Sequence, residues 1–119
     1  MVTRFADVLQ KLHEKRKTGA LFVAVVQSRD CPVRFWFENG EICLLTYGPL
    51  RGKECMELIE GYDLGKAIFY EGVKTPVNAD PRLPLTSGFI SDLRKTGKTI
   101  ESFQITAYAG RNSHLPAAA

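Results

Sequence analysis

Two histidines and three cysteines are the residues of this chain that could form a nucleophile–base pair. The histidines are His13 and His114, and the cysteines are Cys31, Cys43 and Cys55. Nucleophilic catalysis needs a base within hydrogen-bond reach of the nucleophile and a third group that orients the base. His13 lies on the polar side of a predicted first helix and His114 lies near the C-terminus, so neither is placed beside a cysteine. We therefore predict no catalytic residues and a protein that is not an enzyme.

The spacing of the same residues also argues against a metal site. Successive cysteines are 12 positions apart, and none belongs to a CxxC or CxH pair, whereas structural zinc ligands usually come in such close pairs. An odd number of cysteines argues against a full disulfide framework, and free, mostly buried thiols are expected. No glycine-rich segment matches GxxxxGK[ST] or GxGxxG. The sequence therefore predicts no metal and no cofactor.

Two charged pairs are candidates for binding ions. Glu38 and Glu41 flank an Asn-Gly turn and are expected to face each other there. An exposed hairpin tip is the simpler interpretation of this pair, and an acidic spot that binds a cation or a basic partner is the alternative. Arg51 and Lys53 precede a predicted helix, whose N-terminus could hold an anion weakly.

The composition is that of an ordinary globular domain. The chain has 119 residues, of which 45% are hydrophobic and 24% are charged, and its net charge is +3, less than dedicated nucleic-acid binders usually carry. No apolar run approaches the roughly 18 residues needed to span a bilayer. The first residues are amphipathic and have no signal-peptide core. We predict a cytoplasmic protein without membrane contact.

Periodicity predicts helices at three places. The segment 3–17 has apolar residues spaced as in an amphipathic helix, namely Phe5, Val8, Leu9 and Leu12. A second stripe of this kind comprises Cys55, Leu58, Ile59 and Tyr62. The stretch TSGFISDLRKTG predicts a third, short helix.

The stretch VRFWFENGEICLL, residues 33–45, predicts a β-hairpin with Asn39 and Gly40 as its two loop residues. In that register Trp36 faces Cys43. The predicted core face then holds Val33, Phe35, Phe37, Ile42 and Leu44. The opposite face holds Arg34, Trp36, Glu38, Glu41, Cys43 and Leu45. A slip of one residue would exchange the two sets, so the hydrophobic pattern is expected to fix the register.

Two further strands are predicted beside this hairpin. LFVAVVQS precedes it and is apolar on both faces, as in a central strand, and KAIFYEG follows the second helix. KTIESFQITAY fits a strand and a helix equally well. The sequence thus predicts an α+β fold, in which helices pack on a small antiparallel sheet, a strand meander that includes the Asn-Gly hairpin.

Glycines and core aromatic residues recur in a recognisable pattern along residues 3–72. They are Thr18, Gly19, Leu21, Phe35, Phe37, Gly40, Ile42, Gly52, Leu58, Gly65 and Phe69. This pattern resembles the bacterial domain of unknown function found at the N-terminus of PatA-type response regulators. The chain departs from it at Cys55, where the family usually has alanine.

The resemblance implies a regulatory module that mediates protein contacts and has no catalytic residues. Such domains are often attached to receiver or other signalling domains. The resemblance divides the chain into a PatA N-terminal-like α+β domain, residues 1–72, and a second part, residues 73–119. That part comprises a proline-rich linker, a short helix and a C-terminal extension, packed on the domain or trailing it.

The face of the hairpin that carries Trp36 is the predicted contact surface, because Trp, Tyr and Arg are the usual anchors of protein interfaces. The predicted partner-binding residues are Arg34, Trp36, Leu45, Tyr47 and Arg51. The expected partner is a protein, such as another signalling component. Two alternatives are a homodimer through the same face and burial of Trp36 beneath a helix of the same chain.

Two other functions are open at this point. Nucleic acid could stack on Trp36 and Tyr47 and pair with the arginines, although Glu38, Glu41 and the low net charge argue against this binding. A small-ligand sensor would need an apolar pocket between helix and sheet.

Overall fold

A computed structural model describes residues 3–76 and 83–107, apart from the side chains of Arg29, Asp30 and Lys53. Three helices and eight strands lie in these ranges. In chain order they are β1 (Thr3–Arg4), α1 (Phe5–Glu14), β2 (Gly19–Val25), β3 (Ser28–Glu38), β4 (Glu41–Tyr47), β5 (Leu50–Arg51), α2 (Lys53–Gly61), β6 (Leu64–Glu71), α3 (Thr86–Thr96), β7 (Thr99–Ile100) and β8 (Ser102–Ala107).

The main sheet has six strands in the order β5-β4-β3-β2-β6-β8. Its pairs are antiparallel except for β6 and β8, which run parallel. The first strand of the predicted meander, β2, lies between β3 and β6, which agrees with its apolar residues on both faces. The strands β1 and β7 form a small separate ladder. The predicted α+β fold, with helices packed on a mostly antiparallel sheet, is confirmed.

All three helices pack on one face of the main sheet, which we call the helix face. Its centre is Phe35, whose ring lies 5.5 Å from that of Phe5 in α1 and 6.0 Å from that of Phe89 in α3. The predicted stripe of α1 is confirmed, since Phe5, Val8, Leu9 and Leu12 are buried there. Burial of such side chains contributes about 2 kcal/mol each and is the main term that stabilises the fold.

The helix α1 ends beside the hairpin turn. The helix was predicted to reach Lys17 but ends at Glu14, because the backbone turns at Arg16, which has a φ of 51°. The carbonyl of Lys17 then accepts a hydrogen bond from the N–H of Gly40, at 2.8 Å. A Cβ on Gly40 would lie 2.5 Å from the carbonyl oxygen of His13, so this close approach of helix and turn requires glycine.

A β-bulge in β4 corrects the predicted hairpin register. Phe37 pairs with Ile42 as expected, but Trp36 pairs with Leu44 rather than with Cys43. Cys43 is therefore an additional residue that stands with Leu44 opposite Trp36, which is the arrangement that defines a bulge. Beyond it every residue of β4 points to the face opposite to the predicted one.

Residues after position 72 complete the core. Phe89, Ile90 and Leu93 of α3 belong to the same buried cluster as Phe35, and β8 extends the main sheet. The stretch that fitted both helix and strand forms β7 and β8, whose backbone groups pair with β1 and β6. The part after residue 72 was predicted to pack on the domain or to trail it, and α3 and β8 pack on it. The residues after 107 lie outside the described part.

Candidate interaction surface

The face of the main sheet that points away from the helices, the second face, carries its own apolar cluster. Its buried members are Ala20, Phe22, Trp36, Cys43, Leu44 and Val73, with Tyr70 packed against them. No helical residue belongs to this cluster within the described part of the chain. At the hairpin end the cluster is covered by residues 73–76, the strap, which follows β6. Val73 packs on the cluster, and the hydroxyl of Thr75 lies 3.0 Å from the thiol sulfur of Cys43.

Phe22 is the centre of an aromatic and cationic array on this face. Its ring centroid lies 6.4 Å from that of Trp36 and 5.5 Å from that of Tyr70, both in edge-to-face geometry. The guanidinium carbon of Arg34 lies 5.2 Å from the same centroid, within the range of a cation–π interaction. The array holds the Arg34 side chain against a fixed aromatic surface, which lowers the entropy that the side chain would lose on binding.

Outside the strap the second face is open. Arg34, Ile68 and Tyr70 are half-buried there, while Lys66 and Arg51 are exposed. The Nε atom of Arg34 is itself buried and has no hydrogen-bond partner among the described residues. We call these five residues the open half of the second face. Unlike the hairpin end, the open half has no covering segment within the described residues.

The structure divides the predicted contact residues between the two faces. Arg34, Trp36 and Arg51 lie on the second face. The assignment of Leu45 and Tyr47 to that face was wrong, because the bulge turns both toward the helices. Leu45 is 1% exposed in the main core, and the ring of Tyr47 packs 6.2 Å from that of Tyr62.

Leu44 was also assigned to the wrong face. It was placed on the core face, but it is buried in the second-face cluster beside Trp36. Trp36 is only 6% exposed, so it supports the surface from beneath rather than presenting itself as an anchor. Trp36 is therefore buried within its own chain, as one of the alternatives predicted. The covering residues come from the strap, however, and not from a helix.

His13 contacts the hairpin turn. Nδ1 of His13 lies 2.9 Å from the carbonyl oxygen of Gly40 and 3.3 Å from a carboxylate oxygen of Glu41. Glu41 also faces Glu38, as predicted, and both are exposed. His13 thus ties α1 to the hairpin, while His114 lies outside the described residues.

The thiols are free, and the two in β4 and α2 are buried. Burial raises the pKa of the Cys43 thiol and raises that of Cys55 to about 11, so both are protonated and poorly nucleophilic at neutral pH. Cys31 is half-buried. Across residues 3–76 and 83–107 no three His, Cys, Asp or Glu side chains are arranged to hold a metal ion.

An apolar cavity lies between β4, α2 and α3. Its volume is about 10 Å³, which is the space of about one water molecule. The residues that line it are Ile42, Leu45, Met56, Leu83, Pro84 and Phe89. A cavity of this size has no room for an organic ligand, so it does not support the small-ligand alternative.

The outer edge of β8 is a candidate binding feature that the sequence did not reveal. Every residue of this strand except Phe103 is exposed, and Ile105 is 39% exposed. The available signal was the alternation of Phe103, Ile105 and Ala107, which a helical pattern matched equally well. Only the pairing with β6 decides between the two.

Comparison of the chain with known protein families, with curated proteins and with solved structures gave no match. None of the helices in the described ranges has the length and apolar character needed to cross a membrane.

Proposed function

We propose that this chain is a non-enzymatic protein–protein interaction module of a bacterial signalling system. The observation that carries the proposal is the open half of the second face, where Arg34 and Tyr70 are ordered on Phe22 and half-buried. We also propose that the domain is related to the one at the N-terminus of PatA-type response regulators. That relation rests on glycines and core aromatic residues, and it supports a regulatory role rather than a particular partner.

The composition of the open half favours a protein ligand. Arginine and tyrosine are enriched among the residues that dominate binding energies, because each combines a large contact area with a polar group. Both side chains pack on Phe22. The guanidinium carbon of Arg34 lies 5.2 Å from the centroid of the Phe22 ring, and the Tyr70 ring lies edge-to-face at 5.5 Å. Ile68 adds apolar area beside Phe22, with which it pairs across the β2–β6 ladder. A partner would meet side chains that are already ordered.

Charge favours an acidic segment as the binding element. Arg34, Lys66 and Arg51 are the charged residues of the open half, and all three are cationic. Glu38 lies on the same face but at the hairpin end, beyond Trp36. Complementary charge speeds association and selects partners, so the expected partner presents carboxylates and an apolar residue to this surface.

Nucleic acid could also supply negative charge, but the arrangement suits it less well. The stacking set expected from the sequence combined Trp36 with Tyr47, and these residues lie on opposite faces, with Trp36 buried. The remaining aromatic side chain of the open half, Tyr70, lies edge-on to Phe22. We therefore propose a protein partner and treat nucleic acid as an outcome of the test.

The test is photo-crosslinking in a lysate of the bacterium that encodes the chain. A photoreactive amino acid replaces Lys66 on the second face or, as the matched control, Lys95 on α3, since both side chains are exposed. We expect a protein adduct from position 66 that persists after nuclease treatment, and none of that mass from position 95.

Charge reversal provides the second arm of the same experiment. Lys66→Glu with Arg51→Glu should reduce binding of the crosslinked partner about tenfold or more, whereas Lys11→Glu with Lys95→Glu, on the helix side, should leave it unchanged. Equal adducts at both positions, or an adduct that disappears with nuclease, would contradict the proposal.

A further inference from the structure

The edge strand β8 has a row of backbone groups that face away from the sheet. The N–H of Gly72 donates to the carbonyl of Thr18 at 2.8 Å, so the even-numbered residues of β6 bond to β2 and its odd-numbered residues bond toward β8. In the parallel register that pairs Lys66 with Ser102, the even-numbered residues of β8 receive these bonds, so the backbone groups of Phe103 and Ile105 face outward. None of the described strands pairs with that side of β8.

The side chains of β8 do nothing to protect this edge. Natural edge strands are usually protected by charges, proline, bulges or very short length. The sequence of β8 is SFQITA, six uncharged residues without proline, and its ladder with β6 is regular along its whole length. The opposite edge of the same sheet, β5, has only two residues. Of the two edges, β8 is the one that can accept a strand.

We propose that β8 pairs antiparallel with β8 of a second copy of this chain, so that two six-stranded sheets form one continuous sheet. This inference is independent of the open half of the second face. A strand edge is self-complementary under a two-fold axis perpendicular to the sheet. That axis keeps the helices of both copies on the same side, so even-numbered residues pair with even-numbered ones.

One register pairs the outward groups of Phe103 and Ile105. With the axis through Gln104, this residue faces its own copy, and Phe103 faces Ile105 of the second copy. Because the N–H and C=O groups of Phe103 and Ile105 point outward, these two residues form the hydrogen-bonded pairs of the antiparallel ladder. Gln104 then stands in a non-hydrogen-bonded pair at the axis.

The side chains agree with the same register. On the helix face Phe103 would lie opposite Ile105 of the second copy, which covers the half-buried ring and the exposed isoleucine together. On the second face, glutamine meets glutamine and serine meets threonine, so no like charges oppose each other. These uncharged, matched rows favour a second copy over an unrelated charged strand.

Sedimentation velocity over a range of concentrations tests the proposal. The wild type is expected to be a dimer of 13.3 kDa chains. Ile105→Pro removes an outward N–H and blocks the approach of a second strand, but it leaves the hydrogen bonds to β6 intact. This variant should raise the dissociation constant about tenfold or more and should keep the melting behaviour of the wild-type monomer.

A cysteine at the axis tests the register. In a Cys31→Ser background, Gln104→Cys should form an intermolecular disulfide under mild oxidation, because residues in a non-hydrogen-bonded pair have Cα atoms about 4.5 Å apart. Lys95→Cys, on an exposed part of α3, is the matched control and should not. A monomeric wild type, or a dimer unaffected by Ile105→Pro, would overturn the proposal and leave the second-face surface untouched.

Discussion

The thiol of Cys43 donates a hydrogen bond to the carbonyl oxygen of Trp36, the residue that it stands opposite, with 3.2 Å between sulfur and oxygen. This contact lies at the bulge in β4, and the Cys43 sulfur also lies 3.0 Å from the hydroxyl of Thr75 in the strap. The bulge therefore does two things. It turns Leu45 into the main core, and it joins the hairpin to the strap that covers Trp36.

Deletion of Cys43 should be tolerated. Without that residue Trp36 still pairs with Leu44 and Phe35 with Leu45, so the ladder becomes regular and every other side chain keeps its face. We expect a loss of about 1–2 kcal/mol from the missing thiol contacts and the buried sulfur. Urea denaturation measures this change.

Insertion of alanine between Leu44 and Leu45 is the matched contrast. It would turn Leu45 out of the core, where it is 1% exposed, and should cost about 3–5 kcal/mol. If the deletion were as costly as the insertion, the bulge itself would be needed for folding.

Gly40→Ala should destabilise the protein by about 2–4 kcal/mol, because backbone strain and a clash between the turn and α1 add together. Gly40 has a φ of +83°, and a Cβ there would lie 2.5 Å from the carbonyl oxygen of His13. Thermal melting of the variant gives the change. Gly61→Ala is the control, since a Cβ added at that position, at the end of α2, would meet nothing within 4 Å. The control should be neutral or stabilising by up to about 1 kcal/mol.

A fragment that ends at residue 76 should fail to melt cooperatively. It lacks Phe89, whose ring stacks 6.0 Å from that of Phe35, and it lacks Ile90, Leu93 and Ile100 of the same core. The exposed helix face should bind a hydrophobic dye. A fragment of residues 1–107 retains the whole described core and should melt cooperatively, as we also expect of the full chain. Cooperative melting of the shorter fragment would indicate that residues 1–76 fold without the rest of the chain, with a domain boundary near residue 72.

Stability should fall as the pH rises from about 9 to 11, in part because of Cys55. Its pKa is raised from 9.0 to about 11 by burial, with a smaller contribution from the nearby Glu54 charge. Above pH 9 the unfolded thiol ionises while the folded one stays protonated, so the contribution is present below pH 9 and is lost by about pH 11.

The expected loss from this thiol is about 2 kcal/mol. Lysines and tyrosines titrate in the same range, so the informative quantity is the difference between wild type and Cys55→Ala in urea denaturation at about pH 8.5 and about pH 10.5. Parallel pH dependences in the two proteins would show that Cys55 does not contribute.

The sequence by itself determined the features that depend on neighbouring residues. The Asn39-Gly40 turn follows from the positive φ that both residues adopt, 50° and 83°. The buried stripe of α1 follows from helical periodicity, and the two-faced burial of β2 follows from its continuous apolar run. Because these signals are local, the α+β fold and the first pairs of the hairpin could be predicted.

Tertiary structure decided the features that depend on distant residues. Cys43 contacts Thr75, which lies 32 positions away. This contact occurs at a bulge that the alternation of residues within β4 does not predict. The stretch 99–107 became strands because the free sides of β1 and β6 supply its hydrogen bonds. Periodicity within a segment carries no information about such partners, so the sequence could place Arg34 and Trp36 on one face but could not exclude Leu45 and Tyr47 from it.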